Sequence, residues 1–88
     1  MKADQTNDEE ALALGALGWT LGEDRRAQRL VALTGLTPAG MRERLEDRSF
    51  LAEVLRFLEG HEPDLVACAD DLGVSPADLV AARWVLER

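Results

Sequence analysis

Between Asp47 and Gly60 the chain reads DRSFLAEVLRFLEG, and this stretch leaves little choice about the fold. At 100° per residue, Phe50, Leu51, Val54, Leu55, Phe57 and Leu58 cover about 160° of a helix, while Glu53, Arg56 and Glu59 share one polar strip. An apolar face so wide, holding both phenylalanines of the protein, must be covered on several sides at once. The stretch predicts a central helix over residues 48–60 with other helices packed around it.

The remaining sequence suits that role. Ile and Tyr are absent and Leu and Ala dominate, as helices prefer and strands do not. With 88 residues, 47% hydrophobic and 31% charged, there is material for one ordered domain. Such a chain buries about 60–65% of its unfolded surface. The reading is all-α: a compact single domain of five or six short helices over residues 7–88, after a flexible polar start at residues 1–6. No run of about 18 apolar residues exists to span a membrane, and MKADQTNDEE lacks the apolar core of a signal peptide. The lone Cys68 permits no internal disulfide, so the cytoplasm is the expected compartment.

Taken in order, Asn7 suits the cap of a first helix whose opening turn holds Asp8, Glu9 and Glu10, where the helix dipole favours anions. That helix stops near Gly22 and is apolar on two sides. Leu14, Leu17 and Leu21 are expected to face the central helix, which turns Leu12, Ala16 and Trp19 elsewhere. Either the last helix with its Trp84 covers this second stripe, or a partner does, a symmetric dimer being the simplest case. Gly15 and Gly18 each cost up to about 1 kcal/mol of helix propensity, which suggests close approach of another backbone.

A second helix, capped by Asp24 and ending near Thr34, should bury Ala27, Leu30, Val31 and Leu33. Gly35-Leu-Thr-Pro38 then makes a corner: a left-handed glycine, an apolar contact, a threonine cap and a proline in the next first turn. A short third helix turns Met41 and Leu45 inward, and Asp47 caps the central helix. Pro63 opens a fifth helix burying Leu65, Val66, Cys68, Ala69 and Leu72. Gly73-Val-Ser-Pro76 repeats the first corner residue type for residue type, with Ser75 and Asp78 resembling a capping box. The last helix carries Leu79, Val80, Ala82, Trp84 and Leu86. The repeated corner raises an internal duplication, but the flanking apolar positions do not align in phase and this corner chemistry is common.

Charge is unevenly spread. Residues 1–24 carry Lys2 against six acids, residues 25–56 seven arginines against four, and residues 57–88 two arginines against seven, giving −5, +3 and −5. Acidic ends folding over a basic middle would account for this. The sharper alternative is a surface for an acidic partner. Its candidate residues are Arg25, Arg26, Arg29, Arg42 and Arg44, with Leu12 and Trp19 from the first helix.

Chemistry-bearing constellations are sparse. Ala69-x3-Gly73-x5-Leu79 has helix-turn-helix spacing, so segment 63–88 or the arginine-rich middle could serve a nucleic-acid-binding regulator. Against that stand the −5 of residues 57–88, which hold it, and the few base-reading groups on its last helix. His61 lacks the companions a metal site needs and sits where the central helix ends. Cys68, among Ala67, Ala69, Leu65 and Leu72, reads as a small buried hydrophobe. Arg83 lies between apolar positions. It either lays its stem on the core or pairs with a carboxylate such as Glu62 or Asp64. No phosphate loop, nucleophilic triad or cofactor motif is present, so no catalytic, metal or cofactor-binding residue is assigned.

From about Ala11 to Leu86 the chain resembles a small bacterial family catalogued as domain of unknown function 3572. The resemblance rests on Ala16-Leu-Gly-Trp19, Ala32-Leu-Thr-Gly-Leu36, Arg42, Phe50-Leu-Ala-x-Val-Leu-x-Phe57, His61-Glu-Pro63 and Gly73-Val-x-Pro76. It differs in having Leu30 where the family usually has an aromatic residue and Ser49 where it has glycine. The resemblance implies an all-α fold and brings no activity or ligand. The function expected is a non-enzymatic protein-interaction or structural module, monomeric or weakly dimeric, with nucleic-acid regulation as the alternative.

Overall fold

The computed structural model describes residues 8–88, and six helices follow one another along them: α1 (Asp8–Leu21), α2 (Asp24–Thr34), α3 (Pro38–Arg42), α4 (Arg48–Glu59), α5 (Glu62–Leu72) and α6 (Pro76–Leu86). The expected flexible start at residues 1–6 and the Asn7 cap lie outside the described residues.

Local chemistry sets most of the boundaries. Asp47 starts α4 as expected, its Oδ1 accepting the N–H groups of Ser49 at 2.9 Å and Phe50 at 3.3 Å. Thr37 accepts from Gly40 N–H at 3.0 Å, ahead of Pro38 in the first turn of α3. Ser75 and Asp78 form a complete capping box at α6, with bonds of 3.1 and 3.0 Å. The α2 cap is Glu23 rather than Asp24. Its carboxylate accepts the Arg26 N–H at 3.2 Å, and Asp24 becomes the first helical residue.

The two look-alike corners are closed differently. Gly35 (φ 73°) donates its N–H to Val31 O at 2.7 Å, a single left-handed closure. At Gly73 (φ 74°) the bonds are Gly73 N–H to Asp70 O and Val74 N–H to Ala69 O, the paired Schellman pattern. The residue opposite Asp78 in the first corner is Gly40, which cannot supply the second half of a capping box. Matching residue types thus give unlike hydrogen bonding. Because no L side chain adopts such φ values cheaply, Gly35→Ala and Gly73→Ala should each lower stability by about 1 kcal/mol in urea denaturation.

The core centres on α4, whose Phe50, Leu51, Val54, Leu55 and Leu58 are buried, together with Ala52. α4 packs against α6 and α1 most extensively, and also against α5 and α2. The centre is shared with α1, which touches α2, α4, α5 and α6. This is why α1 is apolar on two sides: it is sandwiched. Its buried residues are Ala13, Ala16, Leu17 and Thr20, the last tolerated because its hydroxyl donates to Ala16 O at 2.8 Å. Gly15 faces Leu72 of α5, and a Cβ there would stand 3.4 Å from Leu72 Cδ2, an ordinary contact, so the close backbone approach expected of it is not seen.

Several inward assignments fail. Leu14, expected against α4, is 39% exposed, and Leu33, Val66 and Trp84 are exposed at 57%, 48% and 62%. Leu14, Leu33 and Val66 sit at the edge of an apolar arc, left to solvent because other helices already cover the arc's centre, whereas Trp84 lies on the face of α6 opposite its buried residues. Phe57, on the flank of the α4 face, is half-buried for the same reason.

Candidate interaction surfaces

The arginines do not form one open basic patch. Arg29 pairs with Asp64 and Arg56 with Glu87, while Arg48 reaches Glu10 at 3.3 Å and Val85 O at 3.0 Å. All three ion pairs join the basic middle to an acidic end, the self-complementary use of the uneven charge. Arg44 lies 3.8 Å from Asp47. Among the described residues, Arg25 and Arg42 make no ion pair.

Trp19, expected under Trp84 or a partner, is covered by α2 and α5. The Arg26 guanidinium lies 3.6 Å from the centre of its ring, and its indole N–H donates to Asp71 Oδ2 at 2.6 Å. Arg26 also donates to Trp19 O at 2.7 Å, while its Nε is buried without a hydrogen-bond partner. Stacking on the indole face, the bond to Trp19 O and Glu23 at 3.8 Å together hold that guanidinium in place. Leu12 packs part-buried against the core. Leu12, Trp19 and Arg26 are thus engaged within the fold.

The other singled-out residues have structural occupations. Ala69 and Leu79 are buried and Gly73 closes a helix, so each position of the helix-turn-helix spacing serves the corner. His61 lies at the junction of α4 and α5, its N–H donating to Leu58 O at 3.0 Å. Arg83 pairs not with Glu62 or Asp64 but with Glu59. Its Nε and Nη2 donate to the two carboxylate oxygens at 2.5 and 3.1 Å, and its Nη1 reaches Glu87 at 2.9 Å. Only Gly60 and His61 separate Glu59 from α5, and that corner directs Glu59, rather than Glu62 or Asp64, at α6. The hydrogen bond from Arg56 holds the Glu87 carboxyl below its usual range.

Cys68 is fully buried, and burial, assisted by Asp71, pushes its thiol up to about 11. Two pKa units alone lower the thiolate fraction about 100-fold. A thiol reagent at pH 8 should therefore modify the native protein at least about 100-fold more slowly than the urea-unfolded chain. The raised value stabilises the fold fully below the ordinary thiol range, and this contribution is lost as pH rises towards 11.

Two of the surface concavities lie between helices. The first, about 560 Å³, lies between α2 and α4, with Phe57 and Leu33 as its floor and Arg29, Glu53, Arg56 and His61 at its rim. Both arginines there are committed to carboxylates of the same chain. The second, about 430 Å³, runs between α1 and α3. Leu14, Leu17, Gly18 and Leu21 form one wall, and Pro38, Met41, Arg42 and Leu45 the other. Gly18 is exposed, and a Cβ built on it would meet nothing within 4 Å. The sequence carried a signal for this groove in the cost of a mid-helix glycine. What it could not show is that Gly15 faces Leu72 of α5 while Gly18 faces open space.

Among the described residues no group of three or more His, Cys, Asp and Glu side chains could hold a metal ion, and no helix is long and apolar enough to cross a membrane. Six short helices around a shared α1–α4 centre, with apolar grooves open at the surface, define a small all-α domain. The chain belongs to the family described as "Protein of unknown function (DUF3572)", which matches residues 6–88. No curated protein and no solved structure matches it.

Proposed function

We propose that the domain is a non-enzymatic, cytoplasmic protein-interaction module that receives an amphipathic helix of a partner in the groove between α1 and α3. The observation that carries this reading is Gly18. A glycine inside a helix costs up to about 1 kcal/mol relative to alanine, and here no neighbour of the fold uses the space it leaves. Its place on the wall of an apolar groove lets a partner backbone or large side chain come close to α1. The half-exposed Leu14 and the part-buried Leu21 and Leu45 suit apolar anchors spaced one helical turn apart. Arg42 at the rim, without an ion pair, suits an acidic residue on the partner's polar face.

The reading makes stability and binding move in opposite directions. Gly18→Ala should stabilise the protein by about 0.5–1 kcal/mol, because the added methyl meets nothing, and should weaken partner capture. Leu14→Asp, at an exposed position, should leave the fold intact and abolish capture. Affinity capture with the wild type and both variants, read by mass spectrometry, tests this. A protein held by the wild type and lost by both variants supports the groove. The same set held by all three rejects it.

A further inference from the structure

The outward face of α6 is independent of that groove and is left uncovered. Its inner residues, Leu79, Ala82 and Leu86, are buried, whereas Trp84 on the other side is 62% exposed. Ala77, Val80, Ala81, Trp84, Val85 and Arg88 line a shallow apolar depression along the helix. Trp84 is the one large exposed apolar side chain among them, and the small residues beside it leave room for a second such side chain.

We infer that this face associates with the same face of a second copy, the two α6 helices running antiparallel about a two-fold axis that crosses the outward face midway between Ala81 and Trp84. Under that symmetry Trp84 lies over Ala81 of the other copy and Val80 over Val85, so large meets small along the seam and each contact occurs twice. The charges agree. Among the described residues Arg88 and Asp78 make no ion pair, and they stand ten residues apart, about 15 Å along the helix. Antiparallel pairing brings each Arg88 to the start of the other helix, beside its Asp78. A parallel pairing would set tryptophan on tryptophan and arginine on arginine, with like charges facing.

The seam is one helix long. Eleven residues of α6 cannot supply the roughly 800 Å² per partner of a standard stable interface, so the association is in the micromolar range or weaker. The Trp19 stripe, the other candidate for a symmetric contact, is closed by Arg26 and Asp71.

Sedimentation equilibrium from roughly 1 µM to 1 mM covers this affinity range. The wild type should rise from the 9.7 kDa of one chain towards twice that mass. Trp84→Ala and Ala81→Trp should each raise the dissociation constant at least tenfold, the first by removing the large residue and the second by setting tryptophan on tryptophan. The double variant, with large and small exchanged, should recover the dimer. Arg88→Glu should weaken association without altering the seam. Circular dichroism should show all four variants folded, since the positions face outward. A wild type that stays at one chain's mass at 1 mM overturns the inference. So does a Trp84→Ala variant that dimerises as well as the wild type, which would place the contact between copies on another surface. Failure of the double variant to recover would overturn the antiparallel seam.

Discussion

Leu55→Ala should remove about 2–5 kcal/mol of stability, the range for truncating a fully buried leucine whose surroundings cannot collapse into the gap. Leu55 is 0% exposed on α4, the helix against which α6, α1, α5 and α2 all pack. A domain of this length has a total stability of only about 4–13 kcal/mol, so one methyl-for-isobutyl exchange consumes a large share of it. Val66→Ala on the open side of α5 is the control and should stay within about 0.5 kcal/mol. Urea denaturation of the two variants side by side makes the comparison. A Leu55→Ala cost below about 1 kcal/mol would mean that α4 is not the centre of the fold.

Trp19→Ala should cost about 2–3 kcal/mol, below the range for a fully buried tryptophan because its ring is part-exposed. Three losses coincide: the packing of the indole, its hydrogen bond to Asp71, and the surface on which the Arg26 guanidinium lies. The stacked pair should show a coupling of about 0.5–2 kcal/mol in a double-mutant cycle with Arg26→Ala. Because the ring is covered from within, Trp19→Ala should leave the sedimentation mass at each concentration unchanged, in contrast to Trp84→Ala. A Trp19→Ala variant of unchanged stability whose association weakens on dilution would put the ring at an intermolecular contact instead.

The two tryptophans mark the boundary between what the chain states and what folding decides. Both lie in helices of alternating apolar and small residues, and pattern alone treats them alike. Folding places an arginine over one and leaves the other on an outer face. Leu14 and Leu17 differ in the same way: three residues apart on one helix, 39% and 4% exposed. A periodic pattern gives the direction of a helix's apolar arc. How much of the arc is covered depends on the width and angle of the neighbouring helices, to which the pattern is blind.

Charge pairing shows the same limit from the electrostatic side. That acidic ends would meet a basic middle follows from counting residues. That Arg83 takes Glu59 and leaves Asp64 to Arg29 depends on where the α4–α5 corner swings each carboxylate.

What the sequence by itself determined is the class of fold, the apolar stripe of α4, and the starts and stops that short-range chemistry controls: Asp47, Thr37 and Ser75 as caps, and Gly35 and Gly73 as left-handed ends. Those features are set within four or five residues of chain, where hydrogen-bond reach and backbone sterics leave few alternatives. Only the tertiary structure decided which tryptophan is covered and which distant carboxylate Arg29 and Arg83 meet. Those outcomes join residues 24 to 52 positions apart, and they are fixed by the packing of whole helices rather than by any residue's own preference.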